Sequence, residues 1–313
     1  MTRGGAETRA YPVGILTRQG LPVNLSGRSR YHSAARRAPL SSPHFGDRLA
    51  DLVAQRGPVC AGIDPRPEQL PVGLGPNDWA EELGRLLGPR VPALKPQLAF
   101  FDDAWEGPER SARAGLEGGA LSIADCKRGD IDSTAAAYAR RILGPASPFA
   151  AATVNPWLGR DSLQPFVDVA AAEGKGLFVL VHTSNPGAAD LQGLVLEGGE
   201  RVYERAARIV DELGAKHVGR SGLSLVGAVV GLTVAPEVVA RLRSLMPRAP
   251  FLMPGYGAQG GSPAALEAAR IPGVGGVLVN ASRSLTFPWK GAGPPDWREQ
   301  TLAALEAMRR DLG

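Results

Sequence analysis

The segment from Ile123 to Ile131 of this 313-residue chain gathers three ionisable side chains at the end of an apolar run. Asp125 and Lys127 are two residues apart, and side chains at that spacing project from the same face of a strand. Asp130 follows in the turn beyond the strand. Because unpaired buried charges are costly, this clustering favours electrostatic or acid–base chemistry. The alternative is a salt-bridged strand end at the surface, since structural ion pairs use the same residue types.

Short apolar runs alternate with helical patterns from Phe45 onward. The runs that predict strands are Val59–Ile63, Ala93–Phe100, Leu121–Ala124, Ala150–Val154, Gly176–His182, Val226–Leu232, Phe251–Met253 and Val274–Val279. The stretches that predict helices are Phe45–Arg56, Asn77–Leu87, Ser133–Leu143, Ser162–Glu173, Glu200–Leu213 and Ala235–Leu245. This alternation predicts an α/β fold, a (β/α)8 TIM barrel with a parallel eight-stranded core. A doubly wound open sheet is the alternative, although no G-x-G-x-x-G follows the first run.

Two helix starts carry capping signals. Asn77 is the expected N-cap of the second helix, and Ser262 with Pro263 matches an N-cap followed by proline at the first helical position. The interval from Phe101 to Gly119 is the least periodic part of the pattern.

The basic charge of the chain lies near its N-terminus. Residues 1–46 contain seven arginines and one acid, so their net charge is +6. Because the whole chain carries +4, residues 47–313 have a net charge of −2. A nucleic-acid-binding surface on the folded domain is therefore not expected. We expect residues 1–44 to be a disordered or mis-annotated extension, with a transit peptide as the weaker alternative. We expect residues 45–313 to form one TIM-barrel catalytic domain.

Composition places the chain among globular proteins, with 44% apolar and 21% charged residues. No apolar run is long enough to cross a bilayer, so no membrane partner is expected. Cys60 and Cys126 show neither disulfide nor zinc spacing, and a reducing cytoplasm is the simplest setting. Cys126, between two residues that face the site, is expected to face the helices.

A barrel predicts that polar side chains cluster just after the strands, where the active sites of this fold lie. Lys95 and Gln97 lie within the second run, and polar residues end or follow the other runs: Asp64, Asp125, Lys127, Asp130, Asn155, Thr183, Ser184, Asn185, Gln259 and Arg283. The seventh run leads into the glycine-rich segment from Pro254 to Gly261, whose backbone N–H groups could approach an anion. Arg283 could then clamp a phosphate. A flexible glycine loop beside a surface arginine is the alternative.

These residues also carry a family resemblance. The chain resembles orotidine 5′-phosphate decarboxylase, in the bacterial type 2 branch with the K-R-G-D form of the central motif. Seven segments match in family order over about residues 45–285: Gly62–Pro65, Lys95–Gln97, Asp125–Ile131, Thr153–Pro156, Thr183–Gly187, Pro254–Gly261 and Asn280–Arg283.

The resemblance implies decarboxylation of orotidine 5′-phosphate to UMP and CO2 in pyrimidine biosynthesis, without metal or organic cofactor. It also implies a homodimer in which Asp130 and Thr134 serve the site of the neighbouring subunit. The implied roles are a charge array of Lys95, Asp125, Lys127 and Asp130, with Lys127 protonating C6; ribose contacts from Asp64 and Thr134; a pyrimidine contact from Ser184; and phosphate contacts from Gln259, Gly260 and Arg283.

Two alternatives to this function remain from the residues alone. One is a non-catalytic barrel that binds a nucleotide or sugar phosphate. The other is a metal-dependent sugar-phosphate decarboxylase or aldolase of the same suprafamily, which resembles this chain in its D-x-K-x-x-D pattern but has an acidic ligand where Lys95 stands. A lysine at that position repels Mg²⁺ and so disfavours the metal-dependent alternative.

His182 is expected to be a packed residue near the site rather than a catalytic one.

Overall fold

The computed structural model describes residues 44–101, 105–257 and 260–313. In this part of the chain eight parallel strands pair in sequence order, and β8 pairs with β1 to close a barrel. The strands are β1 Val59–Ile63, β2 Ala93–Pro96, β3 Leu121–Arg128, β4 Ala151–Val154, β5 Gly176–His182, β6 Val226–Val230, β7 Phe251–Pro254 and β8 Val277–Ala281. The predicted TIM barrel is therefore confirmed.

Helices follow the strands and cover the outside of the sheet. They are α1 Phe45–Arg56, α2 Pro76–Leu87, α3 Glu106–Glu117, α4 Asp132–Leu143, α5 Arg160–Glu173, α6 Ala188–Leu191, α7 Val202–Gly214, α8 Pro236–Leu245, α9 Pro263–Ala269, α10 Arg283–Thr286 and α11 Trp297–Leu312. Short 3-10 turns span Pro67–Gln69 and Leu98–Phe100. The weakly periodic interval after Phe100 thus contains α3, and Gln97 follows β2 rather than lying within it. No helix of the described ranges is long and apolar enough to traverse a bilayer.

One of the two predicted helix caps is correct. Ser262 caps α9, and its side chain accepts a hydrogen bond from the backbone N–H of Ala265 at 3.3 Å. Asn77 is not a cap, because α2 already begins at Pro76 with Gly75 before it. Proline suits the first helical position because its backbone has no N–H to satisfy, and the cap therefore lies two residues earlier than predicted, at Gly75.

His44 caps the N-terminus of α1, although the predicted boundary assigned it to the N-terminal extension. Its Nδ1 accepts a hydrogen bond from the backbone N–H of Gly46 at 3.1 Å, which leaves Nε2 to donate to the carbonyl of His217 at 3.1 Å. The rest of the predicted extension, residues 1–43, lies outside the described residues.

The barrel wall is tightly packed at Gly227 in β6. A Cβ atom at this position would lie 2.5 Å from the carbonyl oxygen of Pro250 and 2.9 Å from the ring of Phe178. Such distances are below van der Waals contact, and the nearest obstacle is backbone, which cannot rotate away. Only glycine fits here between β6, β5 and the segment that leads into β7.

We expect Gly227→Ala to lower the free energy of unfolding by about 1–3 kcal/mol, the usual cost of overpacking a core. Urea denaturation measures the change. Gly75→Ala is the matched control, since a Cβ at Gly75 meets no atom within 4 Å and its φ is −79°. A Gly227→Ala variant as stable as the control would contradict the packing argument.

Candidate active site

The carboxylate of Asp125, at the carboxyl end of β3, lies between two ammonium groups. Its Oδ2 is 2.6 Å from Nζ of Lys95 on the neighbouring strand β2, and its Oδ1 is 2.6 Å from Nζ of Lys127. Lys95 and Asp125 are only 5% and 6% exposed, whereas the Lys127 side chain is 45% exposed. The predicted grouping of these three charges is thus present, with Lys127 as the member open to solvent.

The three charges keep one another ionised. Burial by itself would raise the pKa of Asp125, but the ammonium groups of Lys95 and Lys127 hold that pKa well below its usual range. Burial by itself would lower the pKa of Lys95, but the carboxylates of Asp125 and Asp64 raise it above its usual value. Both groups are therefore charged at neutral pH.

The end of β3 departs from a regular strand. Its pairing with β4 shifts register between Ala124 and Arg128, and Lys127 has a φ of +46°, a left-handed conformation unusual for a residue other than glycine. Strained backbone of this kind costs of order 1–3 kcal/mol and clusters at functional sites. The Asp125 and Lys127 side chains meet across this bulge and not through simple alternation.

Two adjoining cavities open at this end of the barrel. One, of about 270 Å³, extends toward the ends of β1, β7 and β8, and the other, of about 470 Å³, extends toward β4 and β5. Lys95, Asp125, Ser184 and Pro254 line both cavities. The paired charges therefore lie where the two cavities meet, a position suited to the reacting part of an elongated ligand.

The first cavity has a cationic end. Arg283, at the start of α10, lines it together with Arg66, Ser282 and the backbone of Gly255. Arg283 forms no ion pair with a described carboxylate, so its guanidinium can bind an anion. Arg66 was not predicted, although it directly follows the Gly62–Pro65 segment.

Four other predicted ligand residues have different outcomes. Asp64 lines the first cavity, and its buried Oδ1 has no hydrogen-bond partner within the described ranges, so it can accept a hydrogen bond from a ligand. Ser184 lines both cavities. Gly260 is exposed and donates its N–H to the carbonyl of Gly257 at 2.9 Å. Gln259 lies outside the described residues.

Asp130 and Thr134 are not brought to the paired charges of their own chain. Asp130 instead accepts a hydrogen bond from the backbone N–H of Ile131 at 2.9 Å, and neither residue lines the two cavities. Thr134 is exposed on the first turn of α4. Of the four charges expected in the array, a single chain therefore brings together three, Lys95, Asp125 and Lys127.

Two further residues at the strand ends have structural contacts. Asn155 accepts a hydrogen bond from the backbone N–H of Trp157 at 3.0 Å and lies outside both cavities, so it shapes a loop. His182 packs against Tyr203 with ring centroids 4.8 Å apart, and burial lowers its pKa.

The Cys126 thiol points away from the charges and donates to the carbonyl of Thr153 at 3.4 Å. Burial raises the pKa of Cys126 to about 11, so this thiol is not a nucleophile at neutral pH.

Two polar residues of the site were assigned no role from the sequence, although Asn280 begins one of the seven matched segments. Gln192 accepts from the backbone N–H of Thr183 and donates to its hydroxyl, both at 2.9 Å, and so braces the loop that presents Ser184. Asn280 is 7% exposed at the end of β8 and lines the first cavity, and its buried Oδ1 has no hydrogen-bond partner in the described structure. Both positions depend on long-range packing that sequence spacing does not encode.

The donor set of the site suits anions better than metal ions. Across residues 44–101, 105–257 and 260–313, no group of three or more His, Cys, Asp or Glu side chains is arranged to hold a metal. The carboxylate of Asp125 already contacts two ammonium groups, and these would repel a divalent cation.

Comparisons with known proteins point to one family. The family model described as "Orotidine 5'-phosphate decarboxylase / HUMPS family" matches residues 57–287. The orotidine 5′-phosphate decarboxylase of Rhodopirellula baltica is 38% identical over 301 residues, covering 86% of this chain and 98% of the relative. That of Salinispora arenicola is 41% identical over 275 residues, covering 84% and 93%.

A solved structure agrees with these sequence matches. The putative orotidine 5′-phosphate decarboxylase of Streptomyces avermitilis superposes with a TM-score of 0.70 at 34% identity, covering 87% of this chain and 96% of that one.

We expect Asp125→Asn to lower the free energy of unfolding by about 3–5 kcal/mol, because the buried Lys95 ammonium loses its nearest counter-charge. Asp168→Asn is the matched control and should change stability by less than about 1 kcal/mol, since Asp168 is exposed on α5 and, among the described residues, accepts only from the Gln164 side chain at 2.7 Å. Urea denaturation of both variants at pH 7 measures the difference. Equal effects would contradict the assigned burial and pairing.

The stability contribution of Asp125 should also depend on pH. Since its folded-state pKa is lowered from 3.8, the contribution is complete above that pH and is lost as pH falls toward the folded-state value. The stability difference between wild type and Asp125→Asn should be constant from pH 5 to 7. Below pH 3.8 it should shrink by about 1.4 kcal/mol per pH unit. Denaturation curves between pH 3 and 7 test this, and a constant difference down to pH 3 would refute it.

Proposed function

This chain belongs to the orotidine 5′-phosphate decarboxylase / HUMPS family, and we propose that it converts orotidine 5′-phosphate to UMP and CO2 with Lys127 as the proton donor. The chain is a carboxy-lyase of pyrimidine biosynthesis, as its named relatives are. The observation that carries the proposed mechanism is the Asp125 carboxylate held between Lys95 and Lys127 at the junction of two cavities.

The proposed reaction breaks the bond between C6 of the pyrimidine and its carboxylate carbon. The bonding electron pair stays on C6 as CO2 leaves, so negative charge develops in the plane of the ring. The Lys127 ammonium stabilises this charge and then transfers a proton to C6, and one residue thus serves as electrostatic stabiliser and general acid. No metal or organic cofactor takes part in the proposed reaction.

Asp125 has two proposed tasks. It keeps Lys127 protonated, because a carboxylate 2.6 Å away favours the charged form of an amine. It also faces the carboxylate of the bound substrate, and departure of CO2 relieves that repulsion. Lys95 compensates the buried carboxylate from the other side, so that Asp125 stays ionised in a site that excludes much of the water.

The cationic end of the first cavity is the proposed phosphate site. Arg283 there lies away from Lys127, which lines the other cavity. Binding energy from a phosphate so far from C6 can close the site and position the ring. Gln259, Gly260 and the neighbouring glycines complete this site in the proposal, Asp64 binds the ribose hydroxyls, and Ser184 contacts the pyrimidine.

A homodimer would complete the charge array. Asp130 and Thr134 line neither cavity of their own chain, which supports the proposal that they serve the site of a neighbouring subunit. Large apolar side chains are exposed nearby, with Ile131 at 54% and Trp157 at 68%. Burying such side chains against a second copy removes apolar area from water and stabilises association.

Two finer assignments belong to the same proposal. A cytoplasmic location is supported by the two cysteines, both unpaired. The bacterial type 2 branch is supported by the sequence Lys127-Arg128-Gly129-Asp130.

Purified protein should consume orotidine 5′-phosphate in the presence of EDTA, with a fall in ultraviolet absorbance and formation of UMP. Lys127→Ala should lower kcat by about 10²–10⁴-fold or more, because proton donation and charge stabilisation are both lost. Its affinity for UMP should be largely kept, since the ribose and phosphate contacts remain.

Lys216→Ala removes an exposed lysine at the opposite end of the barrel and is the control, with kcat expected to be unchanged. Absence of turnover in wild type would favour a non-catalytic binding barrel, and turnover abolished by EDTA would favour a metal-dependent relative. If the Lys127→Ala variant had the same kcat as wild type, the proposed role of Lys127 as proton donor would be refuted.

A mixture of two inactive variants tests the shared site. Lys127→Ala and Asp130→Asn homodimers each have two defective sites. After subunit exchange, about half of the dimers are mixed and each has one complete site, so about a quarter of wild-type turnover should return. If Asp130 served its own subunit, every site in the mixture would stay defective and no activity would return.

A further inference from the structure

Thr153 of β4 occupies the gap that the bulge in β3 creates. Ala124 pairs with Ala152 and Arg128 pairs with Val154, so three residues of β3 face the single residue Thr153. Thr153 is 1% exposed. We propose that its hydroxyl is a positioning group that holds Asp125 and the backbone of Lys127 in their catalytic geometry. This inference rests on the proposed function for its kinetic consequences but not for its structural ones.

The hydroxyl of Thr153 uses all of its hydrogen-bonding capacity on this bulge. Its oxygen accepts from the backbone N–H of Cys126 at 3.1 Å and from that of Lys127 at 2.9 Å. A hydroxyl has two acceptor lone pairs and one donor, so these two bonds leave the proton to be donated. It goes to Oδ1 of Asp125 at 2.9 Å, and a carboxylate can only accept.

The two backbone N–H groups explain why this residue must be polar. In a regular strand consecutive N–H groups point to opposite neighbours, so only one of these two would donate to a carbonyl of β4. The bulge turns both toward β4, where the register shift leaves the Thr153 hydroxyl as their acceptor. An unsatisfied buried N–H costs more than a hydrogen bond contributes, so a bulge without the hydroxyl would relax toward another conformation. Thr153 therefore stabilises the left-handed conformation of Lys127 at φ +46°.

The catalytic consequence follows from where that conformation directs Lys127. Oδ1 of Asp125 accepts from both the Thr153 hydroxyl and the Lys127 ammonium, so one oxygen couples the bulge to the proton donor. If the bulge relaxes, the ammonium and the carboxylate lose their common orientation while the ribose and phosphate contacts stay in place. The chemical step should suffer, and ligand binding should not.

Thr153→Val removes the hydroxyl with little change in size, and Thr153→Ser keeps it. We expect Thr153→Val to lower kcat by about 10–10²-fold, the range expected for a misplaced catalytic group. The dissociation constant of UMP should stay within about threefold, because uniform binding is not affected. Thr153→Ser should keep kcat within about threefold of wild type, as rescue by the retained hydroxyl.

Ser224→Ala is the matched control for a merely structural effect. Ser224 is 2% exposed just before β6, and its hydroxyl likewise accepts from a backbone N–H and donates to a carbonyl. It should lower stability and leave kcat unchanged. If Thr153→Val reduced kcat no more than Ser224→Ala, or if Thr153→Ser lost as much as Thr153→Val, the positioning role would be overturned.

Amide hydrogen exchange gives a readout that needs no substrate. In wild type the amides of Cys126 and Lys127 should exchange slowly, and Thr153→Val should accelerate both while Ser224→Ala should not. Failure of wild-type turnover would count against the proposed function and leave this test intact. If Thr153→Val does not fold, wild-type exchange decides the matter: fast exchange at both amides overturns the inference, and slow exchange supports it.

Discussion

The geometry of the site depends on keeping one buried carboxylate ionised. Asp125 is 6% exposed, and a carboxylate so far removed from water is stable only if cations and donors replace its hydration. Lys95, Lys127 and Thr153 supply three such contacts at 2.6, 2.6 and 2.9 Å. Each partner is in turn fixed by Asp125, so the carboxylate organises the exposed ammonium of Lys127, the buried ammonium of Lys95 and the bulge together.

The closed barrel is what brings these partners within reach of one another. β2, β3 and β4 are adjacent strands in sequence order, so residues at their carboxyl ends converge although they are tens of positions apart in the chain. β8 closes on β1, which places Arg283 and Asp64 along the wall of the same cavity. A ligand in this cavity can therefore contact residues from opposite ends of the barrel sequence.

Much of the fold and part of the site were predictable from local pattern. Regular alternation of apolar strands and amphipathic helices identified the barrel, and the spacing of Asp125 and Lys127 identified the strand end where the paired charges lie. The prediction reached that pair through ideal alternation, however, whereas the chain uses a bulge with Lys127 in a left-handed conformation. Asn155 and Gln192 show the same limit, because the direction of a loop side chain depends on contacts that spacing does not encode.

The sequence by itself determined which charges are available and which strand ends carry them, because hydrophobic periodicity and residue type are local properties. It also determined the family, through segments that occur in order along the chain. The tertiary structure alone decided that Thr153 satisfies the bulge, that Asp130 does not reach the charges of its own chain, and that two cavities meet at Asp125. Those outcomes follow from strand register and burial, which only the closed barrel establishes.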